Sequence, residues 1–275
     1  IAQGAEEAAV ERVLFHQELR LMQTNQPHLA ELMCACAIPT HFDREVLGVL
    51  RDAPTELDQN RQVLVHLLGL GCVKMGPSGT YYFDERVREW LLETWDEKRL
   101  RHELYKERLG LYFSARGQQR FNDEQFATAV DDFTQAILLM PQKAENYAGR
   151  GRAYTILGQY EAALGDFDHL LTLNPSDGDT YFWKGRTYYA QGQHEQAIKY
   201  FTEAVLKQPH DAANYHWRGR AHFALQHPSD ALADLSRAIK LKPDTGSYYT
   251  WRGVVYRSLG DYETALEDLD SAVIY

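Results

Sequence analysis

Residues 212–245 read AANYHWRGRAHFALQHPSDALADLSRAIKLKPDT, and their key positions recur along the chain every 34 residues. Small residues are the clearest mark: the glycine at position 8 recurs as Gly117, Gly151, Gly185, Gly219 and Gly253, and the alanine twelve residues later as Ala129, Ala163, Ala197, Ala231 and Ala265. Proline closes four units, at Pro141, Pro175, Pro209 and Pro243. Small residues let two helices approach closely, and proline ends a helix because it has no N–H to donate to the preceding turn. The pattern predicts repeated pairs of antiparallel helices.

This 34-residue period resembles the tetratricopeptide repeat, in which two helices form one unit and neighbouring units stack on each other. The repeats begin near residues 110, 144, 178, 212 and 246, and the fifth is cut short. The resemblance implies an all-α fold over residues 105–275, a right-handed superhelix of helical hairpins with a concave groove. It also implies a non-catalytic role, with a protein or peptide bound in that groove.

The composition narrows the class of protein. The chain has 275 residues, is 44% hydrophobic and carries a net charge of −10. Such a charge argues against broad affinity for nucleic acids or anionic membranes, which need a positive surface. Three cysteines, Cys34, Cys36 and Cys72, cannot all form disulfides with one another, so we expect a cytoplasmic location. The sequence contains no phosphate-binding GxxxxGK[ST] loop.

The histidines do not form a recognisable metal-binding motif. The residues His16, His28, His41, His66 and His102 show no metal spacing on a common helix face. No Ser/His/Asp or Cys/His arrangement can be assembled from the sequence. We therefore expect no enzyme activity in this chain, and neither a metal ion nor a cofactor.

Arginine occupies position 7 of four repeats, and aspartate occupies position 23 of the same four. Repeat 3 departs at both places, with Lys184 and Tyr200. Because the arginine and the aspartate occur together in four repeats and are both replaced in repeat 3, we expect an ion pair between the two helices of a repeat. Arginine suits this role because it can bond both carboxylate oxygens. The predicted pairs are Arg116 with Asp132, Arg150 with Asp166, Arg218 with Asp234, and Arg252 with Asp268.

A second set of side chains is expected in the groove. The family resemblance implies that positions 2, 5, 9 and 12 of the first helix face it. Arginine holds position 9 in three successive repeats, and tryptophan holds position 6, near the groove edge. Arginines interleaved with large aromatic rings can bind a partner; alternatively, the tryptophans pack between repeats and the arginines are solvated or paired with acids. The candidate groove residues are Arg152, Phe182, Trp183, Arg186, Tyr189, His216, Trp217, Arg220, Phe223, Trp251 and Arg257.

Residues 1–104 do not repeat. Three helical segments, the last over residues 55–69, precede a β-hairpin in which CVKM (72–75) and TYYF (80–83) flank a GPSG turn. A helix, DERVREWLLETW (84–95), follows. This order predicts a winged-helix domain.

The segments at residues 29–50 and 81–92 are similar to the winged-helix module of signal-transduction ATPases with numerous domains (STAND proteins). That resemblance implies that the repeats are the sensor half of a longer signalling protein, in bacterial signalling or antiviral defence, with a nucleotide-binding domain on the same chain. The start at Ile1 and the stop at Tyr275 inside a helical pattern fit a piece of a longer protein. Two alternatives remain open: a free-standing adaptor whose front domain caps the repeats, and a transcription regulator whose wing binds DNA.

Overall fold

The computed structural model describes residues 27–37, 73–76, 80–83, 85–94 and 99–275, together with Leu19, Met22, Pro39, Phe42, Val46 and Leu50. The chain divides into two compact units. The first comprises Ile1–Arg116 and Thr134–Gln142, and the second comprises Gly117–Phe133 and Lys143–Tyr275. The predicted helix over residues 55–69, on which a DNA-reading role would depend, lies outside the described residues.

The first unit contains the hairpin. Helix α1 (Pro27–Cys36) precedes strands β1 (Val73–Met75) and β2 (Tyr81–Phe83), and helix α2 (Glu85–Thr94) follows. The two strands pair antiparallel, with Val73 opposite Phe83. Phe42 extends this small sheet, because its backbone N–H and carbonyl both bond to Tyr81 at 2.8 Å. The predicted β-hairpin is therefore confirmed.

Apolar side chains of the same unit form one core cluster. It includes Cys34 and Cys36, which are buried. Burial, with the nearby Cys34, raises the pKa of the Cys36 thiol far above its usual range. A thiol held neutral in this way packs as a small apolar side chain and is a poor nucleophile.

Ten helices build the repeats. The first helices of repeats 2 to 5 begin at residues 144, 178, 212 and 246, as predicted, whereas the first helix of repeat 1 begins well before residue 110. In chain order the helices are α3 (Arg99–Asn122), α4 (Phe126–Leu139), α5 (Ala144–Ile156), α6 (Tyr160–Leu173), α7 (Gly178–Ala190), α8 (His194–Lys207), α9 (Ala212–Ala224), α10 (Pro228–Leu241), α11 (Gly246–Ser258) and α12 (Tyr262–Ile274).

The small residues permit close contact between the paired helices. A Cβ atom added to Gly185 would lie 2.6 Å from the ring of Phe201 on the next helix, which is closer than carbon atoms can approach. Ala197, on the same facing helix, is completely buried. At Gly185 there is therefore room for glycine only, and at position 8 of the other repeats an added Cβ would lie 2.8–3.1 Å from its nearest neighbour, so the periodic glycine permits close packing of the paired helices.

The turn inside each repeat has a fixed geometry. Position 15 adopts a positive φ in all five repeats. The N–H of position 16 then donates to the carbonyl of position 11, as in Gln193 to Tyr188 at 2.9 Å and His227 to His222 at 2.9 Å. This is the 6→1 bond of a Schellman motif. It places positions 11 and 16 beside each other in every repeat.

Candidate functional site

Three position-7 arginines form bidentate ion pairs with position 23 of their own repeat. Arg150 donates to the two carboxylate oxygens of Asp166 at 2.7 and 2.9 Å. Arg218 does so with Asp234 at 2.7 and 2.8 Å, and Arg252 with Asp268 at 2.6 and 2.8 Å. All three aspartates are buried. The pairs join the two helices of a hairpin, so these arginines are occupied within the protein.

The charge state of these arginines agrees with that role. The hydrogen bond with Asp234 raises the pKa of Arg218 above its ordinary value, in spite of the opposing effect of burial. The guanidinium is therefore charged at neutral pH, and its charge is neutralised locally by the buried carboxylate.

Repeat 3 contains a different arrangement. Lys184 is buried, with an exposed fraction of 3%, and donates to Asp168 of repeat 2. Its ammonium group lies 4.6 Å from the centre of the Tyr200 ring, and Tyr200 stacks on Tyr188 at 5.1 Å. The carboxylate that position 23 lacks is thus supplied by position 25 of the preceding repeat. Sequence reasoning missed Asp168, although a comparison of adjacent repeats could have found it.

In repeat 1 the two residues of the predicted pair each have another partner. Asp132 forms an ion pair with Arg120 at 2.8 Å, and Arg116 donates to the hydroxyl of Tyr112 at 2.9 Å. Arg116 and Asp132 belong to different units. Their pairing therefore stays a prediction.

Arginines and tryptophans alternate along one side of repeats 3 to 5. The guanidinium of Arg186 lies 5.2 Å from the ring centre of Trp183 and 3.8 Å from that of Trp217 in the next repeat. Arg220 repeats this arrangement, 3.9 Å from Trp217 and 4.1 Å from Trp251. We call these five residues the arginine–tryptophan column. Each arginine is held between two indole rings from successive repeats.

Arg152 extends the same pattern into repeat 2, with its guanidinium 5.4 Å from the ring centre of Trp183. Within the described part of the chain, no carboxylate lies within ion-pair distance of Arg152, Arg186 or Arg220. The Nε atoms of Arg152 and Arg220 are buried and have no hydrogen-bond partner there. Burial, together with the positive charge of Arg220, lowers the pKa of Arg186 to about 10. Arg152 and the two arginines of the column are therefore a line of cations that no carboxylate of the described residues neutralises.

The tryptophans also fill space between repeats. Trp217 packs against Ala197 and Phe201 of the preceding repeat, and Trp251 packs in the same way against Ala231 and Leu235. The packing role that the sequence left open as an alternative is thus present. It fixes the ring positions that hold the arginines, so the two roles are compatible.

The remaining candidate groove residues differ in accessibility. His216 is buried, with an exposed fraction of 5%, and its ring lies 4.8 Å from the ring of Tyr248. Phe223 packs into the cluster formed with Val255. Phe182 and Tyr189 are partly exposed and lie beside the column, 6.0 Å from Arg186 and 5.2 Å from Arg220 respectively. Arg257 is exposed on the first helix of repeat 5.

None of the helices in the described part of the chain combines the length and the apolar character that crossing a membrane requires.

Comparisons with known proteins agree with the repeat fold of the C-terminal part of the chain. Residues 155–216 and residues 218–274 match two family models that are both described as tetratricopeptide repeat. A search of curated proteins finds no match to the sequence.

Solved structures show the same fold. The thermophilic TPR protein TTC0263 of Thermus thermophilus is 23% identical with a TM-score of 0.53, over 60% of this chain and 90% of that chain. Residues 41 to the end of MamA from Desulfovibrio magneticus RS-1 are 21% identical with a TM-score of 0.53, over 60% and 93% of the two chains. Another MamA crystal structure is 18% identical with a TM-score of 0.50, over 57% and 92%. At these identities the likeness concerns the fold, and the C-terminal part of this chain is an array of tetratricopeptide repeats.

Proposed function

We propose that the repeat array is a protein-interaction scaffold and that the arginine–tryptophan column binds an acidic segment of a partner protein. The observation that carries the proposal is the pair of guanidinium groups of Arg186 and Arg220, each held between two indole rings and neither balanced by a carboxylate of the described residues.

Charge supports an anionic ligand. The chain has 39 acidic residues against 29 lysines and arginines, so its net charge is negative. The arginines of the column form a local positive patch on this negatively charged chain. The position-7 arginines of repeats 2, 4 and 5, by contrast, are all paired with aspartates. Arg152, Arg186 and Arg220 are partly exposed, so a ligand carboxylate can reach them. Burial and, to a smaller extent, the charge of Arg220 lower the pKa of Arg186, and a carboxylate bound there would oppose both effects.

Rigidity supports recognition of an extended segment. The rings fix each guanidinium in one orientation, so less side-chain entropy is lost when a ligand binds. The cations recur once per repeat, which suits a peptide that runs along several repeats. An acidic segment should bind with an affinity that falls as salt is added, because much of the attraction is electrostatic.

The test uses fluorescein-labelled decapeptides, one rich in Asp and Glu and one with Asn and Gln at the same positions. Anisotropy titrations with the whole chain are expected to show binding of the acidic peptide only, weakened by added salt. The fluorescence of Trp183, Trp217 and Trp251 provides a second readout at the site. The double variant Arg186→Gln/Arg220→Gln should lose at least about tenfold in affinity, that is about 1.4 kcal/mol or more.

A matched control separates the site from net charge. Lys240→Gln/Lys242→Gln removes two exposed positive charges from another part of repeat 4 and should leave the affinity within about twofold. Equal losses in the two double variants would overturn the proposed site. Duplex DNA is the third probe, and tighter binding of DNA than of the acidic peptide would favour the transcription-regulator alternative.

The STAND relationship remains a separate proposal about the N-terminal unit. The backbone pairing of Phe42 with Tyr81 supports it, because a short strand that joins a hairpin followed by a helix is the arrangement of a winged helix. The full-length reading frame tests it: a phosphate-binding loop upstream of Ile1 is expected, and its absence would favour the free-standing adaptor.

A further inference from the structure

Three potential metal ligands converge at the turn of repeat 4. His222 lies in the last turn of α9, His227 is the residue before α10, and Asp230 lies in the first turn of α10. One ligand atom from each side chain, two imidazole nitrogens and one carboxylate oxygen, lies within 4.8 Å of the other two. The two imidazole rings are 6.0 Å apart, centre to centre.

The backbone explains why these side chains meet. The hydrogen bond from the N–H of His227 to the carbonyl of His222 brings positions 11 and 16 together. The same bond is present in the other repeats, so every repeat offers two neighbouring side chains at this place. Their identity decides whether they can bind a metal ion.

Repeat 4 differs from the other repeats at all three positions. Position 11 is tyrosine in repeats 2, 3 and 5, position 16 is glutamine in repeats 1, 2 and 3, and position 19 is threonine in repeats 1 and 5. Histidine at positions 11 and 16 and aspartate at position 19 occur together in repeat 4 alone. Three departures that converge in space are hard to explain by helix packing, since the other repeats pack without them.

The donor set suits a particular class of ion. Imidazole nitrogen and carboxylate oxygen are ligands that Zn²⁺ and its neighbours in the first transition row accept, whereas Mg²⁺ and Ca²⁺ prefer oxygen. Zn²⁺ bonds to imidazole at about 2.0–2.1 Å, so its ligand atoms lie about 3.4 Å from one another. His227 and Asp230 are exposed and can rotate to reach that spacing. The Nδ1 atom of His222 is buried and has no hydrogen-bond partner in the described part of the chain.

We propose that His222, His227 and Asp230 bind one Zn²⁺-class ion, which links the end of α9 to the start of α10. Three protein ligands leave a fourth position for water or for a side chain of a partner. Binding to the folded turn stabilises repeat 4, because the unfolded chain does not hold the three ligands together.

The experiment titrates the metal-free whole chain with ZnCl₂ by calorimetry and follows its melting temperature with and without the ion. One Zn²⁺ per chain should bind at this site and raise the melting temperature, and MgCl₂ should do neither. The variant His227→Gln, which restores the residue of repeats 1 to 3, should weaken Zn²⁺ binding at least about tenfold. Its melting temperature without metal should equal that of the wild type, so a loss of folding cannot account for the result.

The control variant His210→Gln removes an exposed histidine outside the cluster and should bind Zn²⁺ as the wild type does. Co²⁺ provides a site-specific readout, since its visible absorption spectrum should change in His222→Tyr and in Asp230→Thr. The proposal is overturned if His227→Gln and His210→Gln bind Zn²⁺ equally, or if the wild type shows no Zn²⁺-dependent rise in melting temperature.

Discussion

Lys184 pairs with Asp168, sixteen residues earlier in the chain, whereas the position-7 arginines of repeats 2, 4 and 5 pair with aspartates sixteen residues later. Position 7 has neighbours on both sides. Arg218, for example, also donates to the hydroxyl of Thr202 in the preceding repeat at 3.4 Å. A carboxylate on either side can therefore neutralise the buried cation. In repeat 3 the carboxylate lies on the preceding repeat instead of on the second helix of the same repeat. The ion pair therefore joins two repeats, whereas the arginine pairs join the two helices of one hairpin.

The first prediction follows from that relationship. Asp168→Asn removes the carboxylate that faces a buried ammonium group, and we expect it to lower the free energy of unfolding by about 2 kcal/mol. Asp168 itself is largely exposed, so solvent moderates the loss. Urea denaturation followed by circular dichroism measures it. Asp270, at the same position of repeat 5, is the control: it forms no ion pair within the described residues, and Asp270→Asn should change stability by less than about 0.5 kcal/mol. Equal effects would contradict the pairing.

The second prediction separates the two arginines of α9. Arg218→Ala leaves Asp234 buried and unpaired, and should cost about 3 kcal/mol of unfolding free energy. Arg218→Lys keeps the charge but loses the bidentate geometry, so it should cost less, about 1 kcal/mol. Arg220→Met keeps a long side chain between Trp217 and Trp251 and should cost less than about 1 kcal/mol. The three variants are compared by thermal melting. A larger loss for Arg220→Met than for Arg218→Ala would reverse the assigned roles.

The starts of repeats 2 to 5 could be predicted because local residues, glycine and proline, determine where their helices pack and end. Glycine at position 8 is favoured by contacts within the hairpin, most strictly at Gly185 against Phe201, and proline ends the preceding helix because it has no N–H to donate. The glycine recurs in all five repeats and the proline in four of them. Sequence periodicity is therefore sufficient for the fold of this part of the chain.

Contacts between repeats could not be predicted in the same way. The pattern within one repeat does not indicate that Lys184 pairs with Asp168, because Lys184 belongs to repeat 3 and Asp168 to repeat 2. His216 is a second example. The resemblance places its position toward the groove, but the ring of Tyr248 from the next repeat lies against it and it is buried. Only the stacking of repeats decides which side chains remain accessible.

His216 leads to the third prediction, a pH dependence of stability. Burial, with the positive charges of Arg220 and Arg186, lowers the pKa of His216 from 6.5 to about 3. The unfolded chain therefore binds a proton between these values that the folded protein does not, and stability falls as the pH falls below 6.5. At position 5 of repeat 3 the chain has Phe182, so His216→Phe should be tolerated.

Between about pH 7.5 and about pH 5, the wild type should lose about 2 kcal/mol more unfolding free energy than His216→Phe does. Urea midpoints measured across that range test this value. The control variant His210→Gln alters an exposed histidine and should keep the wild-type slope. Parallel profiles for wild type and His216→Phe would show that His216 titrates normally in the folded protein.

The last prediction concerns the turn inside repeat 4. Gln226 has φ of 61°, while the same position in repeat 3 is Gly192 with φ of 80°. A side chain in this left-handed region costs about 1 kcal/mol. Glycine avoids that cost, but it loses more conformational entropy on folding, which offsets part of the gain. Gln226→Gly should therefore raise the unfolding free energy by about 0.5 kcal/mol, and Gly192→Gln should lower it by about 1 kcal/mol. Both are read from urea midpoints, with Gln226→Ala as the control that keeps a Cβ and should be neutral. Stabilisation by Gln226→Ala equal to that by Gln226→Gly would show that the glutamine side chain, rather than its backbone conformation, is unfavourable.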